Sequence, residues 1–366
     1  MELRFFIIRR LLLMIPTLIG LTIIVFVLMW SLPHTFLASA FINPKAPNRA
    51  QAILTAENQL GLNQGIVLAY LHYLANTLTG NWGYMTLTTP IKFDGTVLSG
   101  IGLFFPNTIQ LVIFAAILSI LIAIPLGTYI GARPNSIADH SGRIFSLSFY
   151  AIPVFVLAVV FQVIFGKGVI KGNPVGIFPI SGTFSISAIN VISPPSWLVS
   201  GVGGVVLSEP THLIIFDSLI HGDYALAANA FMHIVLPVLV LTLSLLAGIL
   251  RFLRASMVDA ANSEYIKTAR SKGVPENIVI KLHMRRNALI PTITVLGLLF
   301  ASLLGGVVLI EDVFDYPGIG YLALSTILSG SIFGVLGTTF LFGIILITAN
   351  LLVDITYAIL DPRIRY

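Results

Sequence analysis

The sequence contains no cysteine, which removes disulfides and thiolate metal sites from any account of its stability. Charge is nearly as scarce. Only 10% of the 366 residues are Asp, Glu, Lys or Arg, against about 25% in soluble domains, so there are too few polar side chains to coat a globule in water. No Gly-x-x-x-x-Gly-Lys-Ser/Thr run occurs, and without that backbone cradle and its lysine the chain has no grip on nucleotide phosphates. The histidines, His34, His72, His140, His212, His221, His233 and His283, are scattered, and no pair has the i, i+4 spacing of a helical zinc site. No resident metal is expected. Nor is nucleic acid a partner, because the formal charge of +5 matters less than where the basic residues fall.

What the chain has in abundance is apolar sequence, 57% of the total, gathered into runs of about twenty residues, the span of a bilayer core. The fold class expected is an all-α membrane protein with about six transmembrane helices. The first run, Leu11 to Trp30, follows Arg4, Arg9 and Arg10 and precedes the small triplet Ala38-Ser39-Ala40, as a signal peptide would. It exceeds the roughly 7–15 apolar residues of a signal peptide, so it reads as an uncleaved first span closing a segment 1–30. Residues 31–105 are mixed and polar, with Pro33, Pro44, Pro47, Gly61, Gly80, Gly83 and Pro90, and form a large loop.

The remaining segment, 106–366, carries the other five spans. They run from about Asn107 to Ile130, with Pro106 at a first helical position, Ile144 to Phe165, His233 to Leu250, Leu289 to Ile310, and Ile332 to Leu360. Pro125, Pro153 and Pro237 fall inside spans, where neighbouring helices must repair the lost backbone bonds. Residues 166–230, rich in Gly, Ser, Pro and Thr with β-branched stretches such as Ile186 to Ile192, form a second large loop. Alternation of sides distributes the 20 basic residues as 15 against 5, the larger group holding both termini and the segment 251–288. The positive-inside rule then places both termini and that segment in the cytoplasm of a multi-pass cell-membrane protein.

Arg251 to Arg286 holds eight of the basic residues and three acids, too much charge to lie in lipid. A plain reading is a basic loop against anionic headgroups. Its middle also reads as a short helix that Asn262 or Ser263 caps and Gly273 stops, with Ile266, Ala269 and Arg270 on one face. Pro275 and Glu276 start a second helix, and the two make a helix-turn-helix elbow.

From Glu264-Tyr265-Ile266-Lys267-Thr268-Ala269-Arg270-Ser271-Lys272-Gly273, followed by Arg286-Asn287-Ala288-Leu289-Ile290-Pro291, the chain resembles the permeases of binding-protein-dependent ABC importers. The likeness is to the first permease of the dipeptide, oligopeptide and nickel branch. Lys267-Thr268-Ala269 stands where the family's coupling loop has Glu-Ala-Ala, and Gly273 keeps its signature glycine. Further matches run from Arg9-Arg10-Leu11-Leu12 through Leu60-Gly61-Leu62, Pro106-Asn107-Thr108, Ile124-Pro125-Leu126-Gly127 and Ile152-Pro153 to Val313-Phe314, Pro317-Gly318-Ile319-Gly320 and Asp361 to Tyr366. Pro33-His34-Thr35, Ser329-Gly330-Ser331 and the long 166–230 loop depart from the pattern. The resemblance implies an importer of type I fold whose cargo is peptide first, with oligosaccharide and nickel as alternatives. It also implies a homologous second permease, two cytoplasmic ATPase subunits holding ATP and Mg, and an extracytoplasmic substrate-binding protein, with no cofactor in this chain. Glu264, Tyr265, Lys267, Thr268, Ala269, Arg270, Lys272 and Gly273 would couple it to the ATPase.

Polar residues inside spans mark either a translocation path or interhelical hydrogen bonds; Gln110, Gln162 and Asn350 are the candidates. Asp354, near the end of the last span, is placed to pair with a basic residue. Gly297, Gly305 and Gly306 read as a helix-packing face, and Glu311 to Gly330 as a surface helix or gate lip. A secondary transporter or channel would need coupling-ion sites or paired broken helices, which the sequence does not offer. A scaffold or sensor is the third class.

Overall fold

The computed structural model describes residues 3–42, 48–171, 173–185, 188, 195–199 and 207–360. Its elements are α1 (Leu3–Trp30), α2 (His34–Ala40), α3 (Arg49–Gln59), α4 (Ile66–Leu78), β1 (Tyr84–Leu87), β2 (Phe93–Thr96), α5 (Val97–Gly131), α6 (Ile137–Ala151) and α7 (Val154–Phe165). There follow β3 (Leu198–Val199), β4 (Leu207–Ser208), α8 (Ile214–Ile220), α9 (Tyr224–Ala261), α10 (Glu264–Ser271), α11 (Glu276–Ile278), α12 (Arg285–Val313), α13 (Ile319–Leu328) and α14 (Ile332–Leu360). A π-helical stretch, Val279–Met284, joins α11 to α12 without a break.

All six expected spans fall on helices. Among the described residues four helices qualify by length and apolarity to cross a bilayer, within α1, α5, α9 and α14, and five if the bent pair α6–α7 counts as one span. The fifth expected span lies on α12, which is not among them. Expected and observed spans differ most in length. Helix α5 begins at Val97, where the Thr96 hydroxyl accepts from Ser99 N–H, so Pro106 lies inside the helix rather than at its first turn. The span expected at His233 starts at Tyr224, where Asp223 caps α9, and runs on to Ala261, roughly 57 Å at the α-helical rise.

The third span is not straight. It bends by 104° between α6 and α7 at Ile152, whose ψ of 124° is extended because the ring of Pro153 disfavours the helical region for the residue before it. Pro153 therefore opens α7 instead of interrupting a helix.

Burial ranks the helices. Of the apolar window of α9, 78% is buried, against 17% for α1, so α9 is the central post and α1 lies on the outside, joined to α14 by an Arg10–Asp354 ion pair of 2.8 Å. Around α9, Leu111, Ala115, Leu241, Leu245, Leu303 and Val307 share one core. The 31–105 loop is a folded cap: α2 to α4 and the antiparallel hairpin β1–β2 pack Leu37, Ala69, Met85 and Leu87 with Phe340 of α14. Helix α13 belongs to this core through Ile319, Tyr321 and Leu322, so the expected surface helix is buried over most of its length and exposed only at its Ile327–Leu328 end. Of the expected packing glycines, a side chain at Gly297 would collide with Val353, whereas Gly305 has open space around it. The Ile186 to Ile192 stretch and the terminal Asp361 to Tyr366 lie outside the described residues, apart from Ala188.

Candidate functional site

At the foot of α9 the chain turns through Asn262 and Ser263 into α10. The expected cap is positional only: Ser263 precedes the helix with extended φ and ψ but its side chain makes no capping bond. The stop is fully formed. Gly273 has φ +77°, its N–H donates to Arg270 O at 2.9 Å, and Val274 N–H reaches back to Ala269 O at 3.2 Å, the bond pattern of a left-handed helix terminus that glycine adopts without strain.

One face of α10 is closed by the chain itself. Ile266 and Ala269 are buried with Leu253, Met257, Val279, Met284 and Ala288, which locks the elbow to the base of α9 and the start of α12. The apolar face is thus already occupied and is not what a partner would meet. Glu264, Tyr265, Lys267, Thr268, Arg270, Lys272 and Gly273 are exposed. Lys267 Nζ lies 2.7 Å from Glu264 Oε1, and the Thr268 hydroxyl bonds Glu264 O, so both are held upright along the helix.

Arg270 grips Glu276 with two bonds, Nη2 to Oε1 at 2.6 Å and Nε to Oε2 at 3.1 Å, bracing α10 against α11. The guanidinium lowers the Glu276 carboxyl below its usual range, and the carboxylate raises Arg270. A depressed carboxyl contributes stability at neutral pH that is lost as pH falls through its folded value. Both side chains are about half exposed, which limits the pair to about 1 kcal/mol or less. Glu276→Gln should therefore lower the melting temperature slightly at pH 7, with the gap to the parent closing on acidification below the ordinary glutamate range; a gap that widens in acid contradicts the brace.

At the opposite end, the turn from Val313 to Gly320 is held by a buried network that the sequence reading missed. Glu311 is fully buried. Its Oε1 accepts the Thr108 hydroxyl at 2.6 Å, and its Oε2 accepts Gly320 N–H at 2.6 Å and Tyr321 N–H at 3.2 Å. Thr108 Oγ1 in turn accepts Ile319 N–H at 2.7 Å, and Asn107 Nδ2 donates to Pro317 O at 3.0 Å. One carboxylate and one hydroxyl so satisfy the free N–H groups at the start of α13. The Pro317-Gly318-Ile319-Gly320 motif follows from it: a Cβ at Gly318 would strike the Glu311 carboxyl, and one at Gly320 the backbone of Val308. An acid at the end of an apolar helix, followed by a Pro-Gly turn and a second apolar helix, was the available signal.

Two of the three path candidates converge on that turn. Gln110 Oε1 accepts the Tyr316 hydroxyl at 3.2 Å, and Gln162 Nε2 donates to both Val313 O at 2.8 Å and Ile180 O at 2.9 Å. Asn350 is apart from them, exposed on α14. Among the described residues no group of His, Asp and Glu is arranged to hold a metal.

Residues 123–366 match the family described as binding-protein-dependent transport system inner membrane component, and residues 3–90 match the N-terminal region of such membrane components. The chain is 32% identical to an oligopeptide transport system permease protein of Bacillus subtilis, covering 99% of each. It is 32% identical to a dipeptide transport system permease protein of Alkalihalophilus pseudofirmus over 98% of each. With the dipeptide transport system permease protein of Escherichia coli K12 it shares 30% identity over 99% of this chain and 98% of the other.

Proposed function

We propose, from the premise that this chain belongs to the family of binding-protein-dependent transport system inner membrane components, that it is the permease subunit of an ATP-driven importer of di- or oligopeptides. The relatives named above are oligopeptide and dipeptide permeases, which favours peptide over oligosaccharide or nickel as cargo. The observation that carries the mechanism is the elbow: sealed on its Ile266–Ala269 side by its own bundle, it presents Tyr265, Thr268 and Lys272 outward at the positions of the family's coupling segment. A knob rigidly joined to α9 and α12 transmits force to the two helices that dominate the central core.

Lacking a phosphate loop, this chain draws its energy from separate subunits. In this reading two cytoplasmic ATPases bind ATP and Mg, a homologous second permease completes the pathway, and an extracytoplasmic binding protein delivers cargo. The basic-residue imbalance supports a cytoplasmic elbow and cytoplasmic termini. Translocation then works by tilting of the bundles, and Gln110, Gln162 and Asn350 are the path residues this reading offers. The first two act through the turn that they hold, and Asn350 acts from an exposed face.

Uptake of labelled dipeptide into vesicles carrying the chain with its partner subunits and binding protein should require internal ATP and survive collapse of ion gradients. Gradient-driven uptake by the purified chain alone would instead establish a secondary transporter, and ATP-driven uptake of sugar or nickel in place of peptide would correct the cargo.

A further inference from the structure

Beside the elbow, a cleft of about 260 Å³ opens between α5, α6 and α9. Its walls include the apolar Ile130, Leu147 and Leu250; its polar residues are Ser146, whose hydroxyl is spent on Gly142 O at 2.7 Å, and the guanidinium-bearing Arg143, Arg251 and Arg254. Against these three cations stands one carboxylate, Asp139, whose side chain is fully covered. Arg254 takes it in a two-pronged grip, Nε to Oδ1 at 2.8 Å and Nη2 to Oδ2 at 2.9 Å, and Asn135 N–H adds a bond to Oδ2 at 3.0 Å. Arg143 is left with only a long 3.5 Å approach to Oδ2. Its Nε is buried and makes no hydrogen bond among the described residues, while the side chain as a whole is 41% exposed, so its outer N–H groups are the ones open to an acceptor. Arg251 lies over the ring of Tyr150 at 5.4 Å, and among the described residues it makes no ion pair with a carboxylate.

We propose that this cleft binds the phosphate headgroup of an anionic phospholipid, with Arg143 and Arg251 as its ligands and Arg254–Asp139 as the clamp that positions them. Guanidinium forks match phosphate oxygens in pairs, and basic pockets between transmembrane helices at the cytoplasmic surface are suited to anionic headgroups. The volume, below the roughly 300–1,000 Å³ of small-molecule pockets, accommodates a headgroup and not a whole lipid. Apolar surface for the acyl chains continues along α6: Leu147, itself a wall of the cleft, is 58% exposed, and Ile144 is 67% exposed. Because the cleft abuts the foot of α9, an occupied site braces α6 against the helix that carries the elbow. The proposal needs the chain to lie in a bilayer and does not depend on its cargo or on its ATPases.

The test is native mass spectrometry of the full-length chain released from membranes of phosphatidylcholine with and without phosphatidylglycerol, joined to thermal melting in each lipid. Retained phosphatidylglycerol and a raised melting temperature are expected for the parent. In Arg143→Gln and in Arg251→Gln retention should fall roughly five- to tenfold, and in Arg143→Lys, which keeps the charge but loses the fork, it should fall less than in Arg143→Gln. Melting in phosphatidylcholine alone reports folding; should Arg143→Gln fail there, the exposed Arg251→Gln carries the test. Equal retention of the two lipids, or unchanged retention in the variants, overturns the site. Inorganic phosphate that protects the chain as well as the anionic lipid does makes it a free-anion site and overturns the lipid assignment.

Discussion

Glu311→Ala should cost on the order of 4 kcal/mol, enough to drop the melting temperature of the purified chain sharply or to prevent its recovery from membranes. The substitution leaves Gly320 N–H, Tyr321 N–H and the Thr108 hydroxyl facing an apolar cavity, and each buried group that loses its partner costs about 1–3 kcal/mol. Water cannot easily replace the carboxylate, since Glu311, Thr108 and Ile319 are all buried. Glu311→Gln separates hydrogen bonding from volume. It fills the same space but keeps a single accepting oxygen, so it should lose about half as much. Thr108→Val should weaken the same helix start while Thr108→Ser spares it. Melting of Glu311→Ala at the parent temperature would show that the network holds nothing together.

The turn explains what could and could not be read from the sequence. Long apolar runs pointed to α1, α5, the bent α6–α7 pair, α9, α12 and α14, because burial in lipid or protein depends on composition and length. Their ends were harder. Pro106 looked like a starting residue since its missing N–H is harmless in a first turn, yet α5 begins at Val97 because the Thr96 cap and the contacts of Val97 and Ile101 in the outer core extend it. The same outer packing hides α13, whose ten residues are too few to span and so looked like a surface element.

At the elbow, Gly273 was legible because a positive φ asks for glycine and because its place after a polar helix is a local feature. Which face of α10 is free was not legible, because it depends on Leu253 and Met257 from one helix and Val279 and Met284 from another. Charge had the same weakness. Glu311, Asp312 and Asp315 formed one acidic cluster in the sequence, but Asp312 and Asp315 are exposed and Glu311 is not. Asp354 could be paired in advance only with some basic residue; that the residue is Arg10, at the other end of the chain, is a consequence of α1 lying against α14.

The exposed side of the elbow carries the remaining large effect. Tyr265→Ala combined with Lys272→Glu should reduce ATP-driven uptake more than tenfold, leave the melting temperature unchanged, and leave ATP hydrolysis in the assembled complex unlinked to cargo. Tyr265 is 42% exposed and Lys272 ends the helix, so neither is expected to support the fold, and on the proposed coupling role both meet the surface of a partner. Two further variants lose uptake for a different reason. Ala269→Arg drives a guanidinium into the closed cluster around Ile266 and Val279, and Gly273→Pro asks a ring fixed near φ −65° to sit where the backbone has φ +77°, deleting the bond to Arg270 O. Those two should lower stability and uptake together, because they detach the knob from its own post. The comparison decides whether α10 is a lever: inward changes disturb fold and transport, outward changes disturb transport alone. Parent-level uptake in the Tyr265→Ala, Lys272→Glu pair would mean that force enters this bundle somewhere else.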